Sequence, residues 1–153
     1  MNSQADATDP SRPLRLLGHA YRTFSRIVDA QLRELGFAMG QLPVLVALKH
    51  AKQLPQAELA RLARVEQSSM AQLLNRMERD GLIERVADPA DKRSRLISLT
   101  AQTSRRMPKG KAIMDATVDL ALQGFSAEEI QRLGELMGRV NDNLERAAEE
   151  RDL

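Results

Sequence analysis

The chain has 153 residues, the size of one domain, and its hydrophobic content of 42% is sufficient for a core although only 3% of the residues are aromatic. It contains no cysteine, which excludes disulfides, thiolate zinc sites and thiol-based redox sensing. The net charge of +2 permits nucleic-acid binding but does not argue for it, because the distribution of charge matters more than its total.

The N-terminal segment 1–13 is polar and contains proline, which predicts a disordered tail and not a signal peptide. No apolar run approaches the ~20 residues needed to cross a bilayer, so we expect a cytoplasmic protein with no membrane partner. The two histidines, His19 and His50, are far apart in sequence and have no metal-binding spacing. We therefore expect no metal site and no cofactor.

Segment 14–36 is predicted to form one long helix, because its apolar residues recur at steps of three and four. Gly36 is expected to end it. A second helix is predicted from about Leu42 to His50, with Pro43 in its first turn, where a missing N–H costs little. The apolar stripe of the first helix consists of Leu14, Leu17, Tyr21, Phe24, Val28, Leu32 and Leu35.

The pattern then predicts a helix-turn-helix. Residues 52–55 are expected to form a loop, after which a short third helix faces inward with Leu59, Leu62 and Ala63. A tight turn at 64–66 leads into the next helix. This arrangement of two helices around a short turn is typical of DNA-binding proteins.

The fourth helix is predicted from Gln67 to Asp80, with Gly81 directly after its end. Its apolar residues recur at i, i+3, i+4 and i+7, and its opposite face carries hydroxyl, amide and guanidinium groups. Such groups form hydrogen bonds with base edges and phosphates, although an ordinary solvent-exposed face would have a similar composition. The buried stripe is predicted to be Met70, Leu73, Leu74 and Met77. The candidate DNA-contacting residues are Gln67, Ser68, Ser69, Gln72, Asn75 and Arg76.

Two short runs rich in β-branched and apolar residues, 82–86 and 96–100, predict a β-hairpin, and Asp88-Pro89 begins the loop between them. A basic tip beside a recognition helix would place arginine in the narrow minor groove of DNA, where negative potential is concentrated. The alternative is a solvated charged turn. An ion pair between Asp91 and Arg93 would orient the arginine. The candidate wing residues are Asp91, Lys92, Arg93 and Arg95.

Thr100 is predicted to cap a further helix, in which Pro108 and Gly110 are expected to produce a kink or a local break. This helix also carries a basic run. The run either extends the contact with the DNA backbone or is a solvated face. Its members are Arg105, Arg106, Lys109 and Lys111.

The helix-turn-helix and the segments 81–85, 88–93 and 97–100, in this order, resemble the MarR (multiple antibiotic resistance regulator) family. The wing signature of that family is an Asp-Pro-x-Asp-x-Arg run followed by a Leu-Thr ending. The resemblance extends over residues 14–149, and segment 65–69 is similar to the SlyA-like branch. The signature is matched at Asp88, Pro89, Asp91, Arg93, Leu99 and Thr100.

The resemblance implies a mainly α fold with a small β-hairpin wing, that is, a winged helix-turn-helix in an intertwined helical dimer. Lobe 37–100 would bind double-stranded DNA at a pseudo-palindromic operator, while 14–36 and 101–150 would form the dimerisation region. Arg93 would enter the minor groove beside its partner Asp91. Ala38 departs from the family pattern, in which many members have a capping threonine. The positions implied in the major groove are Ser68, Ser69, Gln72, Asn75 and Arg76.

The last helix is predicted to begin at a capping box of Ser126 and Glu129 and to end at about Glu149. Its apolar residues step by three and four, as in a coiled-coil seam, which indicates a homodimer because two half-sites must be held about one DNA turn apart. The alternative is packing within one subunit. The predicted interface residues are Leu17, Tyr21, Phe24, Ile130, Leu133, Met137, Val140 and Leu144.

Many members of the family bind phenolic or carboxylate compounds, which implies a small aromatic or carboxylate effector and a repressor released by it. On the first helix, Arg15, His19 and Arg22 lie on one basic face that could hold an organic anion, with Met39 and Met114 as adaptable apolar walls. The alternative is that this face is only solvated.

Two other functions are open at this stage. A winged-helix module could bind DNA or protein non-specifically, without a ligand response, although the uncharged polar residues of the fourth helix argue against simple coating of DNA. An enzyme lacks support, because the sequence has no Gly-rich phosphate loop, nucleophile elbow or metal cluster.

Overall fold

The computed structural model describes residues 9–90 and 95–151. Asp91, Lys92 and Arg93 of the predicted wing tip, and residues 1–8 of the predicted tail, lie outside the described residues. The chain divides into two compact units, one running to Thr117 and the other from Val118 onward.

In chain order the elements are α1 Arg12–Leu32, 3-10 turns Arg33–Leu35 and Met39–Gln41, α2 Leu42–Ala51, β1 Gln53–Pro55, α3 Gln56–Ala63, α4 Gln67–Arg79, β2 Ile83–Ala87, β3 Arg95–Leu99, α5 Ala101–Ala121 and α6 Ala127–Glu149.

The long first helix agrees with the apolar pattern but begins at Arg12, two residues earlier than predicted, with Pro13 in its first turn. It ends through a 3-10 turn at Gly36, whose φ of 74° lies in the left-handed region that glycine adopts without steric cost. The N–H of Phe37 then donates to the carbonyl of Leu32 at 3.0 Å, which satisfies an orphan carbonyl of the helix end.

The first unit is built around one hydrophobic core, to which α1 contributes only its C-terminal half. In α3, Leu59 and Ala60 are buried and Ala63 is half-buried. Leu62, which the pattern placed inward, is 48% exposed, so that prediction is wrong. Because a helix turns about 100° per residue, Leu62 lies well to one side of the face that the other three share. The largest fully buried side chains are Val28, Leu32, Val44, Leu45, Leu48, Leu59, Met70, Leu74, Met77, Leu82, Ile83 and Ile97.

The predicted hairpin is part of a three-stranded antiparallel sheet with strand order β1-β3-β2. Ile83 pairs with Leu99 in the hairpin, and Leu54 of β1 pairs with Ile97 on the other side of β3. The segment predicted as a loop therefore contains a short strand. It escapes sequence patterns because it has three residues and includes Pro55, which only an edge strand tolerates.

Helix α5 continues from Ala101 to Ala121 through Pro108, so the predicted break is wrong. Proline removes one intrahelical hydrogen bond, but packing on both sides of that position outweighs the loss. Met107 is buried, and a Cβ built on Gly110 would lie 3.4 Å from the ring of Phe37. Gly110 thus marks the close approach of α5 to Phe37 and not a helix end.

Helix α6 forms most of the second unit. Its N-terminus has the predicted capping box: the N–H of Glu129 donates to Ser126 Oγ at 3.2 Å, and the N–H of Ser126 donates to Glu129 Oε2 at 2.8 Å. These reciprocal bonds satisfy two donors at the helix start. Among the described residues, no helix combines the length and apolar character that a bilayer crossing requires.

Candidate nucleic-acid interface

The turn between α3 and α4 is closed by a residue in the left-handed conformation. Arg64 has φ 53°, which ends α3, and the N–H of Val65 donates to the carbonyl of Ala60 at 3.1 Å. This geometry brings α4 away from α3 within three residues. The predicted tight turn at 64–66 is therefore present, and it directs the N-terminal end of α4 into solvent.

The exposed side of α3 carries an ion pair near this turn. Arg61 donates to both carboxylate oxygens of Glu58, at 2.9 and 2.5 Å. The hydrogen-bonded guanidinium of Arg61 holds the pKa of Glu58 below its usual value, and the carboxylate of Glu58 raises the pKa of Arg61. Because both side chains are exposed, the pair orients them more than it stabilises the fold.

Helix α4 has two chemically distinct faces. Met70, Leu74 and Met77 are 0% exposed and belong to the core, while Leu73 is half-buried against it. The other face is entirely polar and open to solvent, with small side chains near the N-terminus. Its exposed residues are Gln67, Ser68, Ser69, Gln72, Asn75, Arg76, Glu78 and Arg79. The candidate DNA-contacting residues thus lie together on one surface that the core holds in place.

A residue that the sequence analysis missed links this face to the wing. Arg85 of β2 donates through Nη2 to Asn75 Oδ1 at 2.8 Å, and its Nη1 contacts Glu78. The side chain of Arg85 is only 25% exposed. No local pattern signals this contact, because Arg85 lies ten residues beyond Asn75 in the chain and the two meet only through the packing of β2 against α4.

The wing begins with the Asx turn that Asp88-Pro89 predicts. Asp88 Oδ1 accepts a hydrogen bond from the N–H of Ala90 at 2.8 Å. Arg95, the candidate wing residue that the structure describes, is exposed at the start of β3, opposite Ala87 of β2. It therefore lies on the hairpin close to the tip segment 91–94.

The basic run of α5 is divided between internal contacts and solvent. Arg106 donates to the carbonyl of Leu35 at 2.8 Å and lies 5.8 Å from the ring centroid of Phe37, where a cation–π contact forms. Lys111 pairs with Asp115 at 2.5 Å. Arg106 thus connects α5 to the end of α1. Because Arg106 and Lys111 are engaged within the protein, the basic run is less suited to contact the DNA backbone along its whole length.

Comparison with known proteins identifies the fold. The MarR family model matches residues 35–94, which include both helices of the motif and most of the wing. The uncharacterised HTH-type transcriptional regulator YybA of Bacillus subtilis is 26% identical over 133 residues, covering 87% of this chain and 89% of that protein. The solved structure of the transcriptional regulator SlyA is 27% identical with a TM-score of 0.79, covering 89% of this chain and 96% of SlyA. The chain is thus similar to MarR-family regulators, and the match to the family model lies in its helix-turn-helix and wing. A mutant MarR from E. coli complexed with operator DNA has the same fold, with a TM-score of 0.75 at 22% identity over 87% of this chain and 99% of that one.

These similarities confirm the predicted winged helix-turn-helix, and the similar proteins are transcriptional regulators and not enzymes. With alanine at position 38, other side chains cap the start of the Met39–Gln41 turn. Asp29 of α1 accepts from the N–H of Met39 at 2.6 Å, and Gln41 Oε1 accepts from the N–H of Ala38 at 2.9 Å. Two side chains thus satisfy the N–H groups of Ala38 and Met39, whereas a capping threonine at position 38 would accept from the N–H of Gly40 or Gln41.

The first unit of the regulator contains an apolar cavity of about 630 Å³. Met39 and Met114 line it, together with Leu42 and Val46. The basic groups at its wall are Lys49, His50 and Lys111, whereas Arg15, His19 and Arg22 are not among its lining residues. The structure therefore brings together the two predicted methionines but places them with other basic residues than the sequence suggested, and with Asp115, the partner of Lys111.

The predicted dimer residues divide into exposed and partly packed groups. On α6, Leu133 is 40% exposed and Leu144 is 57% exposed, and Ile130 and Leu136 are exposed as well. Leu136 was not part of the predicted seam. Met137, Val140 and Leu17 are half-buried, Tyr21 is exposed, and Phe24 packs partly against the core of the first unit. An apolar stripe thus remains uncovered along α6.

Proposed function

We propose that this MarR-family regulator binds double-stranded DNA as a homodimer at a pseudo-palindromic operator and represses transcription there until a small organic anion releases it. The observation that carries the proposal is the division of α4 into a buried apolar face and an exposed polar face that consists mostly of hydroxyl, amide and guanidinium groups. The buried face fixes the helix, and the exposed face has the hydrogen-bonding chemistry of base and phosphate recognition.

The major groove suits this face in shape as well as in chemistry. Ser68 and Ser69 are small and exposed at the N-terminal end of α4, so that end approaches the base edges without steric conflict. The helix N-terminus also carries partial positive charge, which favours nearby phosphates. Gln72 lies one turn further on the same face, within reach of a base edge.

The wing would contact the adjacent minor groove. Arg95 is exposed on the hairpin, and Lys92 and Arg93 lie in the tip segment of the sequence. A narrow minor groove concentrates negative potential and attracts arginine. Two MarR-family proteins support DNA as the partner, since the E. coli mutant MarR is complexed with operator DNA and a regulator from Listeria monocytogenes is complexed with a 26mer DNA.

The demands of recognition and the uncovered stripe of α6 both support a homodimer. One recognition helix reads too few base pairs, and two helices related by two-fold symmetry read half-sites about 34–36 Å apart. Exposed leucines along one helix are the kind of surface that a second copy of the same helix covers. The polar residues between them keep the remainder of α6 compatible with solvent.

Binding to the promoter DNA of the chain's own gene tests this proposal. We expect a footprint over an inverted repeat, with log K falling linearly against log salt concentration because phosphate contacts release counterions. Gln72→Ala should alter preference at one base pair per half-site by about 1–3 kcal/mol, whereas Arg76→Ala should weaken binding to all sequences more evenly. Protection of DNA without sequence preference would instead favour the non-specific winged-helix module.

The effector is proposed to occupy the apolar cavity of the first unit. Its volume of about 630 Å³ lies within the ~300–1,000 Å³ typical of small-molecule sites. Methionines provide an adaptable wall, and Lys49 provides positive charge for a carboxylate or phenolate. A larger cavity of about 840 Å³ nearby has a more polar lining that includes Lys52, Gln53, Ser98 and Ser104, so it suits an aromatic ligand less well.

Salicylate is the probe for this site, and thermal unfolding at fixed protein concentration is the measurement. At about 100 times the dissociation constant, a ligand that binds only the folded state adds about 2.7 kcal/mol of apparent stability. We expect Lys49→Met to reduce the stabilisation strongly and Arg22→Met to retain it. The reverse result would indicate that salicylate binds at the basic face of α1 and not in the cavity.

A further inference from the structure

The contact between Arg85 and Asn75 joins the wing to the middle of the exposed face of α4. Arg85 Nη2 lies 2.8 Å from Asn75 Oδ1, and Nη1 is bonded to Glu78 one turn further along the helix. Arg85 belongs to β2 of the three-stranded sheet, and its guanidinium is hydrogen-bonded to two residues of α4. Because both hydrogen-bond partners belong to α4, the side chain of Arg85 points towards that helix and away from solvent.

The chemistry of the two groups fixes the orientation of the Asn75 amide. A guanidinium has only donors, so the group of Asn75 that faces it must be the carbonyl oxygen and not the amide nitrogen. The amide NH₂ therefore points away from Arg85. Asn75 itself is exposed on the same face as Gln72 and Arg76.

We propose that Arg85 is a specificity-determining positioning residue, which holds the Asn75 amide so that Asn75 offers a hydrogen-bond donor to the major groove. The inference rests on the proposed function, because it requires α4 to face DNA. Arg85 acts through Asn75 and need not touch a base. Glu78 has a supporting role, since its carboxylate holds the second guanidinium nitrogen.

A fixed donor selects among bases in a predictable way. Guanine offers N7 and O6, adenine offers N7 and thymine offers O4 as acceptors in the major groove, whereas cytosine offers the N4 donor. Asn75 held in this orientation disfavours cytosine at the position that it contacts. An asparagine free to rotate would instead present either its oxygen or its nitrogen, and the discrimination would disappear.

The test is competition binding of the full-length protein to operator variants that carry each of the four base pairs at each position. We expect wild-type protein to disfavour cytosine at one position per half-site by about fivefold, the worth of one neutral hydrogen bond. Arg85→Met keeps the apolar stem but removes the donors, and it should reduce this discrimination to less than about twofold. In an Asn75→Ala background, Arg85→Met should change the base preference no further.

Asn75→Asp provides a second, independent arm. Its carboxylate retains the bond to Arg85 and presents an acceptor in place of the donor. The preference at that position should therefore invert towards cytosine, while affinity for all sequences falls through repulsion from phosphate. This arm keeps Arg85 in place, so it remains informative even if Arg85→Met fails to fold.

Arg79→Met is the matched control, because it removes the same charge from the exposed face of α4. It should weaken binding to every operator by a similar factor and leave the base preference unchanged. An Arg85→Met variant that behaves in the same way would overturn the positioning role. A wild-type protein with no base preference at any position would overturn the proposed function itself, and this inference with it.

Discussion

Truncation of Leu74 to alanine is expected to lower the free energy of unfolding by about 3 kcal/mol while leaving the base preference of the protein intact. Leu74 is 0% exposed and lies between Met70 and Met77 on the buried face of α4. Removal of a fully buried leucine side chain costs its transfer free energy and leaves a cavity that the surrounding core fills only in part. Urea unfolding at fixed protein concentration measures the loss.

Gln72→Ala is the control for Leu74→Ala, because it truncates a residue on the exposed face of the same helix. Gln72 is exposed two residues earlier on the same helix, so its truncation should change the free energy of unfolding by no more than about 0.5 kcal/mol. Its effect should instead be seen in base preference. If Leu74→Ala altered base preference at temperatures far below its unfolding transition, or if Gln72→Ala destabilised the protein strongly, the assignment of the two faces of α4 would be wrong.

Sequence reasoning predicts the parts of this fold that depend on local chemistry. The period of the apolar residues locates the helices, Gly36 ends α1 in the left-handed conformation, and Ser126 with Glu129 starts α6. Each of these signals is contained within a few residues of the chain. The exposed polar face of α4 is predictable for the same reason, since a helix presents every third or fourth residue to the same side.

The features that sequence reasoning missed depend on contacts between distant segments. The strand β1 exists because Leu54 pairs with Ile97, and three residues alone carry no recognisable pattern. Helix α5 continues through Pro108 because its packing outweighs one lost hydrogen bond. The contact of Arg85 with Asn75 has the same origin, and no spacing rule for a single helix or strand would find it.

The candidate ligand site illustrates the limit of helical periodicity. Arg15, His19 and Arg22 share one face of α1, as their spacing predicts, but the cavity that Met39 and Met114 line is bordered on α1 by Tyr21 and not by those three residues. Periodicity identifies which residues share a face of one helix. It does not identify which residues of other elements that face meets, and a cavity is defined by those other elements.

Placing a charge in the apolar stripe of α6 is expected to have the largest effect on DNA binding. Leu133→Glu should convert the dimer into a monomer, because each subunit of a symmetric pair would bring an uncompensated carboxylate to the interface. A monomer binds one half-site at a time and loses the gain from linking two contacts, which amounts to roughly 10²–10⁴ in affinity. Analytical ultracentrifugation measures the mass, and titration with full and half operators measures the affinity.

Gln131→Glu is the matched control, since it introduces the same charge two residues earlier and outside the apolar stripe. Gln131 is exposed and donates to Glu135 at 3.0 Å, so the variant loses one helical contact and gains a like-charge pair worth only a few tenths of a kcal/mol. It should remain dimeric and bind the full operator normally. If Leu133→Glu also remained dimeric with undiminished affinity, the subunits would have to associate through another surface. The exposed leucines of α6 would then have no part in holding the two recognition helices at the spacing of the operator.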